Sequence, residues 1–430
     1  MSEQCCCGKV HKSSVKLILT ENGAINRISE IIGEYGAKKP FILDDVNTHR
    51  AAGERICRLL EESGIGYTLF TFADKALKPD EKSVGSAVMH FDSECDIIIG
   101  VGSDVINDIG KILSSLSGKP YIISATAPSM DGYASATSSM ESDGLKVSLK
   151  SRCPDVIIGD IDILKNAPEK MLKAGLGDML AKYISICEWR IANLIIGEYY
   201  CEYVAEIVRE ALKKCVDNSA GLLKRSDDAV KAVFDGLVKG GMAMEYAGVS
   251  RPASGAEHYI SHVWDMRGLA FGTKTELHGI QCAIGTLICA KIYEQLKAIS
   301  FDKEKALGYA RQFDTEKWIR QLREFVGPGS EAMIELEKKE QKYNIQKHTE
   351  RLEKIIQNHD RILEIINEEV PPAHEIEKIL DLIGAPKSCS EIGLSDDILP
   401  MTFKAAKDIR DKYVLPRLCW DLGIIDEISI

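Results

Sequence analysis

Three histidines lie within residues 250–279 of the chain, in a pattern that suits metal binding. His258 and His262 are four residues apart in a helix-compatible segment, so their side chains leave the same face, and His278 follows a loop. Imidazole suits zinc, nickel or ferrous iron, and a catalytic metal site normally keeps one position open for substrate. Histidines at this spacing are also common as surface or core residues, and the internal Glu of the zinc-protease motif is missing. A further ligand would decide between these interpretations.

Two aspartates stand where such chemistry needs a carboxylate. Asp131 follows a strand end and a Thr-Ala-Pro-Ser turn, and Asp178 lies just inside a helix after two glycines. An Asx turn would by itself explain Asp131, and stabilisation of the helix dipole would explain Asp178. One aspartate with two histidines makes a site with room for substrate oxygens. We therefore predict that Asp178, His258 and His278 are metal ligands.

The first part of the chain predicts a mostly parallel sheet flanked by helices. Between residues 15 and 162, short β-branched runs alternate with helical ones, and the predicted strands are residues 41–45, 96–102, 121–125 and 155–160. In such folds, ligands bind outside the carboxyl ends of the strands. The residues at those ends are Asp45, Gly102, Thr126 and Asp160.

The turn after the second predicted strand favours an anion site. Gly100 and Gly102 close the strand, and a helix with one apolar face follows. The unpaired N–H groups of a helix N-terminus point at a bound anion, as in nucleotide sites. The turn does not carry the dinucleotide fingerprint, because Val105 occupies its last glycine position. A plain tight turn is the alternative.

After Pro168 the pattern becomes helical, with predicted helices at residues 171–190, 198–224 and 228–248. A charged segment at 331–369 predicts a solvent-exposed pair of helices, which ends at Pro371 and Pro372. We predict a flexible N-terminus (residues 1–12), an α/β dinucleotide-binding domain (13–165) and an all-helical metal and substrate domain (166–430).

Composition limits the partners and the compartment. The 430 residues include 54 basic and 65 acidic ones, a net charge of −11, which argues against nucleic acid or an anionic membrane. No apolar run approaches the roughly 18 to 20 residues that span a bilayer, and the N-terminus carries no apolar signal core, so we expect a cytoplasmic protein without membrane insertion. Thirteen cysteines without a CxxC pair are interpreted as reduced thiols. The Cys5–Cys7 triplet is interpreted as part of a flexible terminus, and a soft-metal site is the alternative.

Six motifs in order resemble bacterial sn-glycerol-1-phosphate dehydrogenases, within the superfamily of iron-containing alcohol dehydrogenase, glycerol dehydrogenase and dehydroquinate synthase. The resemblance runs from about residue 12 to 425 and implies a dehydroquinate synthase-like fold, with a Rossmann-like domain before an all-α metal-binding domain. The motifs are 44–53 (DDVNTHRAAG), 100–111 (GVGSDVINDIGK), 126–135 (TAPSMDGYAS), 174–182 (AGLGDMLAK), 250–262 (SRPASGAEHYISH) and 277–279 (LHG).

The resemblance implies roles for individual residues. The implied metal ligands are Asp178, His258 and His278. The metal is zinc or nickel, with iron as a further candidate, and His262 lies beside the ligands or faces the substrate. The implied cofactor contacts are Gly102, Ser103 and Asp108 for the pyrophosphate, Asp45, Asn47 and Thr48 for the adenosine end, and Thr126, Ser129 and Lys146 for the nicotinamide end. Asp131 matches the carboxylate that meets the substrate hydroxyl.

One departure from the family pattern lies in the glycine turn, which reads Gly102-Ser103-Asp104 instead of three glycines or Gly-Ser-Gly. A carboxylate at position 104 would repel the cofactor phosphates unless it turned away to cap the following helix. We expect Asp104 to cap that helix. The choice between NAD and NADP stays open.

The implied reaction is the reduction of dihydroxyacetone phosphate to sn-glycerol 1-phosphate by a homodimer using NADH or NADPH. The metal would act as a Lewis acid on the carbonyl oxygen, and a water or a relay through His262 would supply the proton. Arg251 is the first candidate to bind the substrate phosphate, with Lys146 and Lys150 as additions. An ordinary interdomain salt bridge is the alternative role for Arg251.

Three alternatives remain at this point. A dehydroquinate-synthase-type cyclase uses the same scaffold, and the TAPSMDG motif argues against it. A polyol or glycerol dehydrogenase acting on an unphosphorylated substrate would not need Arg251. A non-catalytic sensor of NAD or a sugar phosphate would not need an intact set of one aspartate and two histidines.

Overall fold

The structure, a computed structural model, describes residues 5–74, 76–142 and 145–430, so residues 1–4 of the predicted flexible N-terminus lie outside the described residues. The chain forms two compact units. The first contains Cys5, Lys9–Met179 and Glu210–Gly248, and the second contains Cys6–Gly8, Leu180–Arg209 and Val249–Ile430.

The first unit is built on a six-stranded parallel sheet in the order β1-β8-β5-β4-β2-β3. Its inner strands are continuous apolar runs because both faces of the sheet are covered. The four predicted strands are confirmed; β1, β3 and the antiparallel β6–β7 hairpin were not predicted. The strands are β1 Leu17–Glu21, β2 Pro40–Asp45, β3 Thr68–Phe72, β4 Ile97–Gly102, β5 Tyr121–Ala125, β6 Thr137–Ser142, β7 Leu145–Lys150 and β8 Val156–Asp160.

Twenty α-helices accompany these strands in the described residues. They are α1 Ile28–Glu34, α2 Val46–Thr48, α3 Glu54–Glu62, α4 Glu81–His90, α5 Asp104–Ser117, α6 Ile161–Leu164, α7 Glu169–Leu180, α8 Lys182–Ile196, α9 Glu202–Asn218, α10 Asp227–Ala247, α11 Ala256–Phe271, α12 His278–Ala298, α13 Lys303–Gln312, α14 Thr315–Val326, α15 Ser330–Glu340, α16 Ile345–Gln357, α17 His359–Glu369, α18 Ala373–Leu382, α19 Leu399–Ala406 and α20 Leu415–Asp421. A parallel sheet with helices followed by a largely helical part confirms the predicted fold class.

Several predicted helix bounds were wrong. The single helix predicted at 171–190 is two helices, α7 and α8, separated at Ala181. Helix α9 ends at Asn218, before the predicted residue 224, and the predicted helix pair at 331–369 is three helices, α15 to α17.

Helices α1 and α3 pack on one face of the sheet and α5 on the other. Ile97, Ile99 and Val101 of β4 belong to the core that α1 and α3 cover, so the alternate residues of β4 face α5. Glycine is required at two positions of this contact, Gly100 of β4 and Gly110 of α5. A Cβ would lie 2.3 Å from the Tyr121 hydroxyl at position 100 and 2.4 Å from it at position 110. The small side chains let α5 approach the sheet closely.

The strand order reverses direction between β2 and β4. From β2 the chain moves to β3 on one side, and it then returns to β4 on the other side. The connections that leave β2 and β4 therefore diverge and open a crevice at the carboxyl ends of these strands, the usual ligand position in open α/β sheets. Because Leu43 pairs with Gly100, the strand-end residues Asp45 and Gly102 are neighbours.

Helix α10 belongs to the first unit, so the two units differ from the predicted domains 13–165 and 166–430. The helix packs directly on the sheet, since a Cβ on Gly159 of β8 would lie 2.2 Å from the Phe234 ring. The chain start joins the end of the same helix: Lys9 Nζ donates to the Ala247 carbonyl at 2.8 Å, and His11 Nδ1 lies 3.1 Å from the Tyr246 carbonyl oxygen.

Helices α11 and α12 lie at the centre of the second unit. Almost all of α12 from Gly279 to Tyr293 is buried, and a Cβ on Gly285 would lie 2.7 Å from the Glu257 carbonyl oxygen. This close approach fixes the first turns of the two helices against each other. No helix in the described ranges is long and apolar enough to span a bilayer.

Candidate active site

The three predicted histidines converge in the second unit. His258 and His262 lie one turn apart on α11, and His278 is the first residue of α12. The ring centroid of His278 is 4.9 Å from that of His258 and 5.8 Å from that of His262, whose ring is nearly parallel to it. His258 is buried, whereas His262 and His278 are half-buried.

A neighbouring carboxylate sets the orientation of His258. Its Nδ1 is 2.8 Å from Glu257 Oε1, which also accepts a hydrogen bond from the Gly255 N–H at 2.7 Å. A carboxylate at Nδ1 favours the tautomer protonated on that nitrogen, in which the lone pair is on Nε2.

Glu257 faces a second buried carboxyl, that of Glu188. An added Cβ on Gly255 would lie 2.5 Å from Glu188 Oε2 and 2.7 Å from Glu257 Oε2. Burial raises the pKa of both carboxyl groups, and the charge of Glu257 raises that of Glu188 further. Glu188 also accepts hydrogen bonds from the backbone N–H groups of Ala256 and Leu415, so the pair ties the start of α11 to the start of α20.

The tautomer of His278 follows from counting protons in its hydrogen-bond chain. Gln281 Nε2 donates to Asp265 Oδ1 and to the Glu276 carbonyl, both at 3.0 Å, which fixes the amide orientation. The amide oxygen of Gln281 then accepts from Ser261 Oγ at 2.9 Å. Since the serine hydroxyl has given away its only hydrogen, it accepts from His278 Nδ1 at 3.1 Å. His278 is therefore protonated on Nδ1 and has a lone pair on Nε2.

These hydrogen bonds fit a divalent metal site. Metal-binding histidines usually donate their second N–H to a carboxylate or another polar group, which fixes the ring and makes the ligand nitrogen more basic. His258 and His278 both have this arrangement, and their candidate ligand atoms lie within 4.8 Å of each other.

Asp178, the third predicted ligand, belongs to the first unit, and its place in the set stays a prediction. Its carboxylate is buried, and Oδ2 accepts the backbone N–H of Asp131 at 2.9 Å. Asp131, the predicted substrate carboxylate, is itself buried. The structure thus brings these two predicted aspartates together near the end of α7.

Sequence reasoning missed the groups that orient the histidines and a neighbouring cysteine. Glu257 and Ser261 contact the imidazoles, and Gln281 holds the Ser261 hydroxyl. Cys282 lies one turn after His278 with its Sγ beside the ring, 3.5 Å from Nε2 and 3.9 Å from Nδ1. The His278–Cys282 spacing of four residues was the available signal.

Arg251 lies with its guanidinium against Glu198. The guanidinium is fully buried and makes two contacts with the carboxylate, Nε to Oε1 at 2.7 Å and Nη2 to Oε2 at 2.5 Å. Nη1 has no hydrogen-bond partner among the described residues. Two of the three nitrogens are thus occupied inside the protein, a geometry that favours a structural role for Arg251.

The predicted adenosine contacts lie at the end of β2 and form a capping box. Asp45 Oδ1 accepts the backbone N–H groups of Asn47 and Thr48 at 2.7 and 3.0 Å, and the Asp45 N–H donates to Thr48 Oγ1 at 3.0 Å. These three residues shape the loop that borders the crevice between β2 and β4.

The glycine turn at the end of β4 leads directly into α5. A Cβ on Gly102 would lie 2.6 Å from Ile106 Cβ, so only glycine fits there. Thr126, after the neighbouring strand β5, donates its N–H to the Gly102 carbonyl at 3.1 Å. Asp45, Gly102 and Thr126 therefore lie at the carboxyl ends of the adjacent strands β2, β4 and β5, as predicted.

The prediction that Asp104 caps α5 is wrong. The N-cap residue is Ser103, without a side-chain hydrogen bond, and Asp104 is the first helical residue. Its Oδ1 instead accepts from the predicted cofactor contact Ser129 at 2.7 Å. Burial raises the pKa of Asp104 to about 6.

The other predicted contacts, Asp108, Lys146 and Lys150, differ from one another in burial. Asp108 is buried, pairs with Lys111 Nζ at 2.9 Å and accepts the Ser139 N–H at 3.1 Å, so its carboxylate ties α5 to β6. Burial raises the pKa of Asp108. On β7, Lys146 is half-buried and Lys150 is exposed.

Comparisons with known proteins identify relatives of this chain. The family model for iron-containing alcohol dehydrogenase matches residues 19–168. A glycerol-1-phosphate dehydrogenase (NAD(P)+) of Halalkalibacterium halodurans is 28% identical over 420 residues, 96% of this chain and 95% of the relative. One of Bacillus licheniformis is 30% identical over 342 residues, 77% of this chain and 85% of the relative. The crystal structure of glycerol dehydrogenase from Schizosaccharomyces pombe has a TM-score of 0.62 at 16% identity, covering 96% of this chain and 90% of that one.

Proposed function

We propose that this chain, which belongs to the glycerol-1-phosphate dehydrogenase family of iron-containing alcohol dehydrogenases, reduces dihydroxyacetone phosphate to sn-glycerol 1-phosphate with NADH or NADPH. The observation that carries the proposal is the pair His258 and His278, each oriented by a hydrogen bond at Nδ1 in the tautomer that has its lone pair on Nε2. A non-catalytic sensor has no need for this arrangement.

His258 and His278 would hold a divalent metal, with Asp178 as the third ligand that the family resemblance implies. Zinc or nickel suits this donor set, and iron is possible. When bound, the metal supplies Lewis-acid stabilisation of the charge that develops on the substrate oxygen. Glu257 and Ser261 keep both imidazoles in the required tautomer, so the ligands need no rearrangement before the metal binds.

The crevice beside Asp45, Gly102 and Thr126 would hold the nicotinamide cofactor. The first N–H groups of α5 are available to a pyrophosphate, and the missing side chain of Gly102 allows a close approach. When bound, the reduced cofactor supplies the hydride. Ser103 and Asp108 flank this turn, Asn47 and Thr48 border the adenosine end, and Ser129 and Lys146 are the remaining proposed contacts at the nicotinamide end.

The remaining roles concern the substrate. We assign proton transfer to His262, which lies beside His278, and contact with the substrate hydroxyl to Asp131. Lys146 and Lys150 are the proposed phosphate partners, because Glu198 occupies the Arg251 guanidinium. A homodimer is part of the proposal and is checked by light scattering.

Side-by-side turnover of related substrates tests the proposal. Oxidation of NADH and NADPH is followed with dihydroxyacetone phosphate and with dihydroxyacetone, and reduction of NAD and NADP with glycerol. We expect kcat/KM for the phosphorylated ketone to exceed that for dihydroxyacetone by a large factor. Equal kcat/KM values for the two ketones would indicate a polyol dehydrogenase, and cofactor binding without any turnover would indicate a sensor.

A further inference from the structure

Cys7 and Cys201 form a pair of thiols in the second unit, and the proposed function assigns no role to either of them. Cys201 comes directly before α9 and is buried, whereas Cys7 is half-buried. Their sulfur atoms lie within 4.8 Å of each other. The Tyr199 hydroxyl donates a hydrogen bond to Cys7 Sγ at 3.3 Å. A donor at this sulfur favours the thiolate, which is the form of cysteine that binds metals.

The short segment that carries Cys7 contains two further candidate ligands, Cys5 and His11. They lie two residues before and four residues after Cys7 in the sequence CCCGKVH. The Cys5 N–H donates to the Lys9 carbonyl at 3.0 Å, and Gly8 has a φ of 85°, so the segment turns back on itself. The turn brings the candidate donor atoms of Cys5 and His11 within 4.8 Å of each other.

The ring of His11 is oriented like that of a metal ligand. Its Nδ1 lies 3.1 Å from the Tyr246 carbonyl oxygen, which can only accept a hydrogen bond. Nδ1 is therefore the donor, and the neutral ring has its lone pair on Nε2. Metal-binding histidines usually donate their second N–H to a carbonyl or carboxylate oxygen, which fixes the ring.

Three thiols and one imidazole are a donor set of structural zinc sites. In such sites four protein ligands surround the ion tetrahedrally, and no position is left for a substrate. With zinc–sulfur bonds of about 2.3 Å, two sulfur ligands would be roughly 3.8 Å apart. The 4.8 Å limit on the donor atoms is compatible with this separation. Cys6 is exposed and belongs to no group of candidate metal ligands in the described part of the chain, so three consecutive cysteines need not converge on one ion.

We propose that Cys7 and Cys201 are two ligands of a structural zinc ion. Cys5 and His11, which the same short segment presents, complete its coordination. The site shares no residue with the metal site of the proposed function and does not depend on it. On binding, the three thiols release their protons to solvent, and the thiolates and the His11 lone pair form the bonds to the ion. The ion fastens the residues around Cys7 beside the start of α9.

Metal content and cobalt spectra of the full chain test the proposal. Zinc per chain is measured by elemental analysis after the protein has been loaded with Zn²⁺ and freed of excess ion. Co²⁺ is then substituted, because a thiolate bound to Co²⁺ gives a sulfur-to-metal charge-transfer band in the near ultraviolet that imidazole and carboxylate ligands do not give. Cys7→Ser and Cys201→Ser are the test variants. Cys6→Ser is the matched control, and His278→Ala removes a ligand of the other proposed metal site.

We expect a charge-transfer band in the parent protein, in Cys6→Ser and in His278→Ala. One zinc ion per chain should be lost in Cys7→Ser and in Cys201→Ser, and the zinc dissociation constant of this site should rise at least roughly tenfold in Cys7→Ser. The ion should remain in Cys6→Ser and in His278→Ala.

A parent protein without the band at saturating Co²⁺ would overturn the proposal, whether or not the variants fold. A disulfide between Cys7 and Cys201 in the freshly isolated protein would also overturn it. Loss of all zinc in His278→Ala, with none lost in Cys7→Ser, would leave only the metal site of the proposed function.

Discussion

Replacing Arg251 by leucine separates a structural role from a substrate-binding role. In the structure, the guanidinium is fully buried and makes two charged hydrogen bonds with Glu198, whose side chain keeps 24% of its surface exposed. Leucine would fill most of the space but would leave the Glu198 carboxylate without its partner. We therefore expect Arg251→Leu to destabilise the second unit.

The size of the effect follows from the burial of the pair. Breaking a buried ion pair by removing one partner costs about 3 to 5 kcal/mol, and partial hydration of Glu198 favours the lower end, about 3 kcal/mol. For a unit of this size, this change in the free energy of unfolding lowers the melting temperature by roughly 6 to 12 °C. Removing both charges in Arg251→Leu/Glu198→Leu should restore part of the loss, because no buried charge is left unpaired.

The assay combines thermal unfolding with kinetics on dihydroxyacetone phosphate and dihydroxyacetone. A lower melting temperature, with activity on both ketones changed in the same proportion, is the expected result. A normal melting curve with a sharply raised KM for the phosphorylated ketone alone would refute this reasoning and would make Arg251 a phosphate ligand. Equal destabilisation by the single and the double replacement would show that Glu198 is not the relevant partner.

Three further predictions concern the metal and the cofactor turn. Chelation should abolish turnover while circular dichroism stays unchanged, and His278→Ala should lose both metal and activity; full turnover in a preparation shown to be metal-free would contradict this. Ser261→Ala or Gln281→Leu should raise the metal dissociation constant about 10- to 100-fold, and unchanged affinity would show that the hydrogen bonds do not orient His278. Asp104 has a folded pKa of about 6 against an ordinary 3.8, so its protonation stabilises the fold fully below about pH 4 and this contribution disappears as the pH rises through 6. The free energy of unfolding of the parent, measured relative to that of Asp104→Asn, should therefore fall by up to roughly 3 kcal/mol between pH 4 and 8. A difference between the two proteins that does not change with pH in denaturant unfolding would contradict this prediction.

Local sequence patterns sufficed for the elements that position the site. The buried strands β2, β4, β5 and β8 are apolar runs bounded by polar or glycine residues, and such runs are recognisable without tertiary information. The i,i+4 spacing of His258 and His262 placed both on one face of α11. Strands β1 and β3 lie at the edges of the sheet and β6–β7 form a separate hairpin, so their residues are not buried on both faces. They were missed because they lack the continuous buried apolar run that marks the inner strands.

Contacts between residues distant in sequence were beyond this reasoning. Arg251 and Glu198 are 53 residues apart, and nothing in the local sequence indicates that they pair. The orientation of His278 depends on Ser261, 17 residues earlier on another helix. For Asp104, local propensity favoured a cap, but Ser103 holds the N-cap position and the hydroxyl of Ser129, 25 residues later, binds the carboxylate.

The stereochemistry of the product tests the central claim most directly. The metal-loaded protein is incubated with dihydroxyacetone phosphate and NADH or NADPH until the reduced cofactor is consumed, and the glycerol phosphate is then offered to a dehydrogenase specific for the sn-glycerol 3-phosphate enantiomer. We predict stoichiometric cofactor oxidation and a product that this second enzyme does not oxidise, as sn-glycerol 1-phosphate requires. A product that it oxidises completely, or no cofactor oxidation with dihydroxyacetone phosphate while glycerol or dihydroxyacetone is turned over, would contradict the proposed function.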